Sequence, residues 1–201
     1  MTHPASSTAT PAIQSATGSV TTLLLPGLGN SGPEHWQSHW ERGDRTCIRV
    51  MQAEWDAPRC EDWAQTLDAA VRASTGDVVF VSHSSSCALV AHWARIAAPE
   101  LLHRVRGALL VAPSDPLGPH YPSGATGFAP VPRERLPFRS IVVASENDEY
   151  VTVAIAHEYA SAWGSEFQNI GRAGHINAAS GHGAWPDGLR LLDRLRGDAV
   201  R

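Results

Sequence analysis

Short apolar runs alternate with longer amphipathic stretches along most of this chain. Residues 20–25 (VTTLLL) end at Pro26-Gly27, the pattern of a buried strand entering a turn. Residues 78–81 (VVFV), 107–112 (GALLVA) and 141–144 (IVVA) are continuous apolar runs, each closed by serine or proline. Residues 47–51 (CIRVM) and 167–170 are weaker strands. Between the strands, residues 61–73 carry Trp63, Leu67, Ala70 and Val71 at helical spacing, with Gly76 as a stop. Helices are also predicted over 85–98, limited by Pro99, over 152–163, and over 186–195, where Leu189, Leu191, Leu192 and Leu195 recur. Residues 114–136 are rich in proline and read as a loop. Strands this apolar need cover on both faces, which predicts a three-layer α/β/α sandwich with a mostly parallel sheet. Such sheets bind ligands at the carboxyl ends of their strands, so the polar residues just after each strand are the candidates for chemistry.

Composition narrows the reading. The 201 residues, 43% of them hydrophobic, suffice for one core, so a single domain is expected over 20–201. Residues 1–19 are rich in Ala, Ser and Thr and too poor in apolar groups to offset their ordering entropy, so a disordered tail is expected there. A net charge of -4 disfavours a nucleic-acid surface, which needs clustered positive charge. Three cysteines, Cys47, Cys60 and Cys87, without a CxxC pair, predict neither a disulfide framework nor a thiolate zinc site. The absence of a secretory pattern and of any long apolar stretch leads us to expect a cytoplasmic, soluble protein with no membrane contact. His35 and His39 are four residues apart, yet no HExxH or third ligand accompanies them, so neither a metal nor a cofactor is expected. Trp36 and Trp40 in the same stretch are expected to pack a helix rather than wall a pocket.

The strand at 78–81 runs into Ser82-His83-Ser84-Ser85-Ser86-Cys87 and then a helix. A nucleophile elbow has this form, with a strained serine between strand and helix and small residues two before and two after it. Here Ser82 and Ser86 stand where glycine is usual, and the competing role for the serines is to cap the helix. Ser84, at the centre, is the candidate nucleophile. Ser85 and Ser86 come next, and Cys87 within the helix is a weaker alternative.

A serine hydroxyl needs a base to take its proton. In folds with this elbow the order along the chain is Ser, then an acid, then His. The loop after 141–144 offers Asp148, with Glu146 and Glu149 as competitors, and Asp148 has a competing role as a helix cap. The loop after 167–170 offers His175, with His182 as its rival. An oxyanion hole draws one N–H from the residue after the nucleophile, here Ser85, and one from the loop after the first strand. In Pro26-Gly27-Leu28-Gly29-Asn30-Ser31 the Leu28 N–H is the candidate, with Gly27 and Gly29 allowing close backbone approach. The loop matches no nucleotide-binding fingerprint. Gly27, His83, Tyr121 and Phe128 are candidate pocket residues.

The segments PGLGNSGPEHWQSHWE, HSSSC, LLVAPSD, VVASENDEY and GHINAASGHGAWPDG together resemble the small serine hydrolases similar to retinoblastoma-binding protein 9 and the bacterial YdeN-like proteins. The resemblance runs from about Val20 to Leu195 and departs from the family at Ser82 and Ser86. It implies a small α/β-hydrolase without a lid and a Ser84–Asp148–His175 triad. The expected activity is hydrolysis of a small ester or amide through an acyl-enzyme on Ser84. The alternative is a weakly active or non-catalytic protein-interaction module on the same fold, although no sequence feature indicates a particular protein partner.

Overall fold

The computed structural model describes residues 20–197, so the expected tail over 1–19 lies outside the described residues. The strands are β1 (Thr21–Leu25), β2 (Cys47–Arg49), β3 (Val78–His83), β4 (Val105–Val111), β5 (Arg139–Ala144) and β6 (Glu166–Asn169). They form one six-stranded sheet in the order β2-β1-β3-β4-β5-β6. Every pairing is parallel, so the sheet is wholly rather than mostly parallel. The helices are α1 (Trp36–Gly43), α2 (Cys60–Ala73), α3 (Ser85–Ile96), α4 (Pro99–Leu102), α5 (Val153–Trp163) and α6 (Pro186–Arg196).

Alternation of side chains along each strand sends residues to two separate cores. Leu23, Leu25, Phe80 and Leu110 face α2, α3 and α5, where Trp63, Leu67, Trp93 and Trp163 close the layer. Leu24, Val79, Val81 and Leu109 face α1 and α6, where Trp36, Trp40, Leu192 and Leu195 do the same. Trp36 and Trp40 are therefore packed, as their apolar bulk requires. Gly107 lets α6 lie close on β4, since a Cβ there would meet Leu195 Cδ2 at 2.8 Å.

Two expectations change in detail. Pro99 not only ends α3 but also opens α4, because proline at a first helical position sacrifices no needed N–H. The loop over 114–136 is ordered and strapped down. Thr126 exchanges backbone hydrogen bonds with the start of α2, and the Pro132 carbonyl accepts from Trp163 Nε1 at 2.8 Å. Among the described residues no helix is long and apolar enough to cross a membrane.

Candidate active site

Five loops at the carboxyl ends of β1, β3, β4, β5 and β6 converge on one edge of the sheet. Ser84 sits where β3 turns into α3, with φ 59° and ψ -128°. That conformation is sparsely populated for an L-residue and costs on the order of 1–3 kcal/mol. The Ser84 N–H donates to the Val111 carbonyl at 3.0 Å, which fixes the turn to β4. Its hydroxyl does not cap α3 and lies instead 2.8 Å from Ser114 Oγ. Among the described residues no hydrogen bond joins Ser84 Oγ to His175, so a pairing of the two requires the Ser84 side chain to turn away from Ser114.

Close approach explains Gly27. A Cβ there would stand 2.7 Å from Ser84 Cβ and 3.1 Å from the His83 carbonyl oxygen. The first loop thus packs directly on the elbow, and Gly27 makes room for the candidate nucleophile rather than for a ligand. Serine is tolerated at the two usual glycine positions in different ways. The Ser86 hydroxyl donates to the Pro26 carbonyl and ties the same loop to the elbow. Ser82 Oγ is buried without a partner, a loss of about 1–3 kcal/mol. The strained elbow survives both. Cys87 is fully buried, with its thiol directed at the Ser82 and Val111 carbonyls, and burial holds its pKa well above the ordinary value. It has no access to a ligand.

His175 Nδ1 lies 2.8 Å from Asp148 Oδ2 and 2.9 Å from Oδ1. A carboxylate only accepts, so Nδ1 carries the hydrogen and Nε2 keeps the lone pair of a base. The Asp148 side chain has no exposed surface, and Oδ1 also accepts the Tyr150 N–H at 2.9 Å. Capping of α5 falls to Thr152, whose hydroxyl accepts from the Ile155 N–H, so Asp148 is not the cap. Glu146 and Glu149 point to solvent. The acid and histidine loops are zipped together: Asn147 Oδ1 accepts the Gly174 N–H and Ser145 Oγ the Ala173 N–H, each at 2.9 Å. His182 lies outside this arrangement, with its ring edge-on to Trp185.

The backbone beside His175 is also strained. Ile176 has φ 47°, unusual for a β-branched residue, and is fully buried. Its carbonyl accepts from Trp36 Nε1 at 2.8 Å, and Trp40 Nε1 likewise holds the Ala184 carbonyl at 2.8 Å. Helix α1 therefore anchors the histidine loop through two indoles.

Leu28 and Ser85 N–H have no protein acceptor among the described residues. Ser85 opens α3, so its N–H also lies at the positive end of that helix. The Leu28 loop is held from both sides, by the Gly29 N–H on the Trp55 carbonyl at 3.0 Å and by Arg49 on Asn30 Oδ1 and the Ser31 carbonyl. Gln37, fully buried, accepts from Ser31 Oγ at 2.6 Å and donates to the Leu25 and Val81 carbonyls where β1 and β3 part. Arg49, Gln37 and Ser114 were not legible as site residues from sequence. Ser114 carries the one available signal, its place just after β4.

A cavity of about 190 Å³ joins these groups, and Leu28, His83, Ser84, Ser85, Tyr121 and His175 all line it. Tyr121 and Ser85 bury their hydroxyls in its wall without an aligned hydrogen bond, and burial pushes Tyr121 up to about 12. Phe128 is a correction. It lies behind the wall, edge-on to Trp63, and is fully buried in the core rather than facing the cavity. His35 caps α1 instead of sharing a helix face with His39, and no cluster fit for a metal ion occurs among the described residues.

A parallel sheet with an elbow after β3, an acid loop after β5 and a histidine loop after β6 is an α/β-hydrolase fold. Residues 22–194 match the serine hydrolase family, and the chain belongs to it. A YdeN-like hydrolase from Pectobacterium atrosepticum, described as putative in its own right, is 31% identical over 89% of this chain and 91% of its own, with a TM-score of 0.77. The ydeN gene product of B. subtilis is 17% identical over 90% of this chain and 100% of its own, with a TM-score of 0.71. Esterase 2 of Thermogutta terrifontis shares the fold at 15% identity, over 88% of this chain and 81% of its own, with a TM-score of 0.63. No curated protein matches the chain.

Proposed function

We propose that this hydrolase cleaves small carboxylic esters, or amides, through an acyl-enzyme on Ser84. The observation that carries the reading is the His175 imidazole, held on both Asp148 oxygens and lining the same cavity as a strained Ser84. Ser84 Oγ turns from Ser114 to His175 Nε2, gives up its proton there, and bonds to the substrate carbonyl carbon. The carbonyl oxygen takes the negative charge and accepts from the Leu28 and Ser85 N–H groups, whose alignment before reaction is what lowers the barrier. Asp148 fixes the tautomer of His175 and stabilises its imidazolium. His175 then protonates the leaving alkoxide or amine, and water repeats the sequence to release the acid. The small cavity limits the substrate, and three free buried thiols fit a reducing, cytoplasmic setting.

A fluorophosphonate probe and p-nitrophenyl acetate test this together. Wild type is expected to label and to turn over, and Ser84→Ala to do neither. A wild type that neither labels nor hydrolyses refutes the enzyme and leaves the protein-interaction reading. Labelling that survives Ser84→Ala moves the nucleophile to a neighbour.

A further inference from the structure

The cavity is bounded from both faces of the sheet. His175 lines it, and the adjoining Ile176 belongs to the core beneath α1 and α6. Tyr121 also lines it, and packs against the other core, beneath α2 and α3. The Tyr121 ring centroid lies 6.5 Å from that of Phe128, at a tilt of 57°. Phe128 is buried and is backed in turn by Trp63, 5.7 Å away and edge-on. The Tyr121 ring therefore stands between the cavity and an aromatic core. It is held there by its loop. The Tyr121 N–H donates to the Gly118 carbonyl at 3.1 Å, and Thr126 is tied to Pro58 and Cys60 at the start of α2 by two backbone bonds of 2.9 Å. Its hydroxyl is buried without an aligned partner, so a phenylalanine would serve the packing equally and the group acts through its bulk.

We propose that Tyr121 sets the length of the acyl chain, confining the wild-type site to acetyl-sized and propionyl-sized groups. This inference rests on the hydrolase reading above. His175 must reach the leaving oxygen to protonate it, so the leaving group lies on the α1–α6 side. The acyl chain departs from the same carbonyl carbon in the other direction, past Ser85 and toward Tyr121. There it meets a ring that the loop does not release. The cavity of about 190 Å³ falls below the roughly 300–1,000 Å³ of pockets for larger ligands, so a long chain fits only by displacing that ring. A pocket of fixed size rejects each surplus methylene by about tenfold or more. Removing the ring would join the cavity to apolar space faced by Phe128, where each methylene that enters gains about fourfold.

Two ester series test this, one varied on each side of the carbonyl. The first is p-nitrophenyl acetate, propionate, butyrate and hexanoate. The second is ethyl, butyl and hexyl acetate, followed by a pH indicator. We expect wild-type kcat/KM to fall by about tenfold or more from propionate to hexanoate. Tyr121→Ala should raise the hexanoate-to-acetate ratio by about tenfold or more and leave the ratios of the alcohol series within about twofold. Tyr121→Phe should keep the wild-type ratio in both series. Each ratio compares two substrates on one preparation, so loss of folded protein does not mimic the shift, and Tyr121→Leu replaces Tyr121→Ala if the latter does not fold. Wild type that takes hexanoate as well as propionate overturns the proposal with no variant needed. A hexanoate-to-acetate ratio unchanged by shortening Tyr121 overturns it too, as does a shift confined to the alcohol series. Fluorophosphonate labelling separates the failures. Labelling without the expected ratios overturns the role of Tyr121 alone, whereas no labelling and no hydrolysis overturns the hydrolase reading and this inference with it.

Discussion

Gly27→Ala tests how closely the site is packed. The added methyl carbon would sit 2.7 Å from Ser84 Cβ and 3.2 Å from Ser84 Oγ. Ordinary contact begins near 3.4 Å, so the two backbones must separate by about 3.4 − 2.7 = 0.7 Å. Neither side yields easily. Ser84 is fixed by its N–H on Val111, and the Gly27 loop is fixed by Ser86, Gly29 and Arg49. Overpacking of this kind costs about 1–3 kcal/mol of stability. The larger effect is on rate, because the shift moves the Ser84 hydroxyl away from the Leu28 N–H and from His175 together. A displacement approaching 1 Å in a reacting geometry is worth up to about 10²-fold. We therefore expect kcat/KM for p-nitrophenyl acetate, and the rate of fluorophosphonate labelling, to fall by about 10²-fold while the urea midpoint falls modestly. Gly43→Ala, at the end of α1 with open space around it, is the control for handling a glycine-to-alanine change. Retention of wild-type kcat/KM within threefold by Gly27→Ala refutes the reasoning.

Other consequences are as concrete. Asp148→Asn puts an amide against His175 Nδ1 and destabilises the productive tautomer, so kcat should drop by about 10⁴ with the fold intact; a loss under tenfold contradicts the role of Asp148. Trp36→Phe removes the donor to the Ile176 carbonyl, and should lower stability by about 1–3 kcal/mol and kcat along with it, read by urea unfolding and p-nitrophenyl acetate turnover. An unchanged kcat would show that His175 needs no such anchor. Stability should fall as pH drops from 7 to 5. His35 has a folded pKa near 4 against an unfolded value near 6.5, so the unfolded chain takes up the proton first and the native state loses about 2 kcal/mol over that interval. His83 acts in the same direction. Urea midpoints at pH 7, 6 and 5 measure this, and His35→Asn should flatten the slope; a midpoint independent of pH in wild type rules it out.

The sequence was most informative where one physical requirement dominates. Strands buried on both faces must be continuously apolar, and β1, β3, β4 and β5 could be seen for that reason, whereas the half-exposed edge strands β2 and β6 carry a weaker pattern. The elbow, acid and histidine loops follow strands, and that placement singled out Ser84, Asp148 and His175. Buried polar residues have no period to betray them. Gln37 and Arg49 organise the first loop, yet in sequence they are one polar residue in a helix and one charge in a short strand. Ser114 was hidden at the head of a proline-rich segment. Phe128 was misplaced because an aromatic residue in a loop could face either way, and only the strapping of that loop beneath α2 turns its ring toward Trp63. His35 was noticed for its spacing from His39, whereas its position depends on the α1 cap and on contact with His83.

The hold of Trp36 on Ile176 joins positions 140 residues apart in the chain. Ser84 is placed by β3, β4 and the first loop, whereas His175 is placed by the loop that follows β6 and by the grip of α1 on it. On the proposed mechanism, hydrolytic competence therefore requires the whole sheet, and a chain lacking β6 and the loop after it is expected to be inactive.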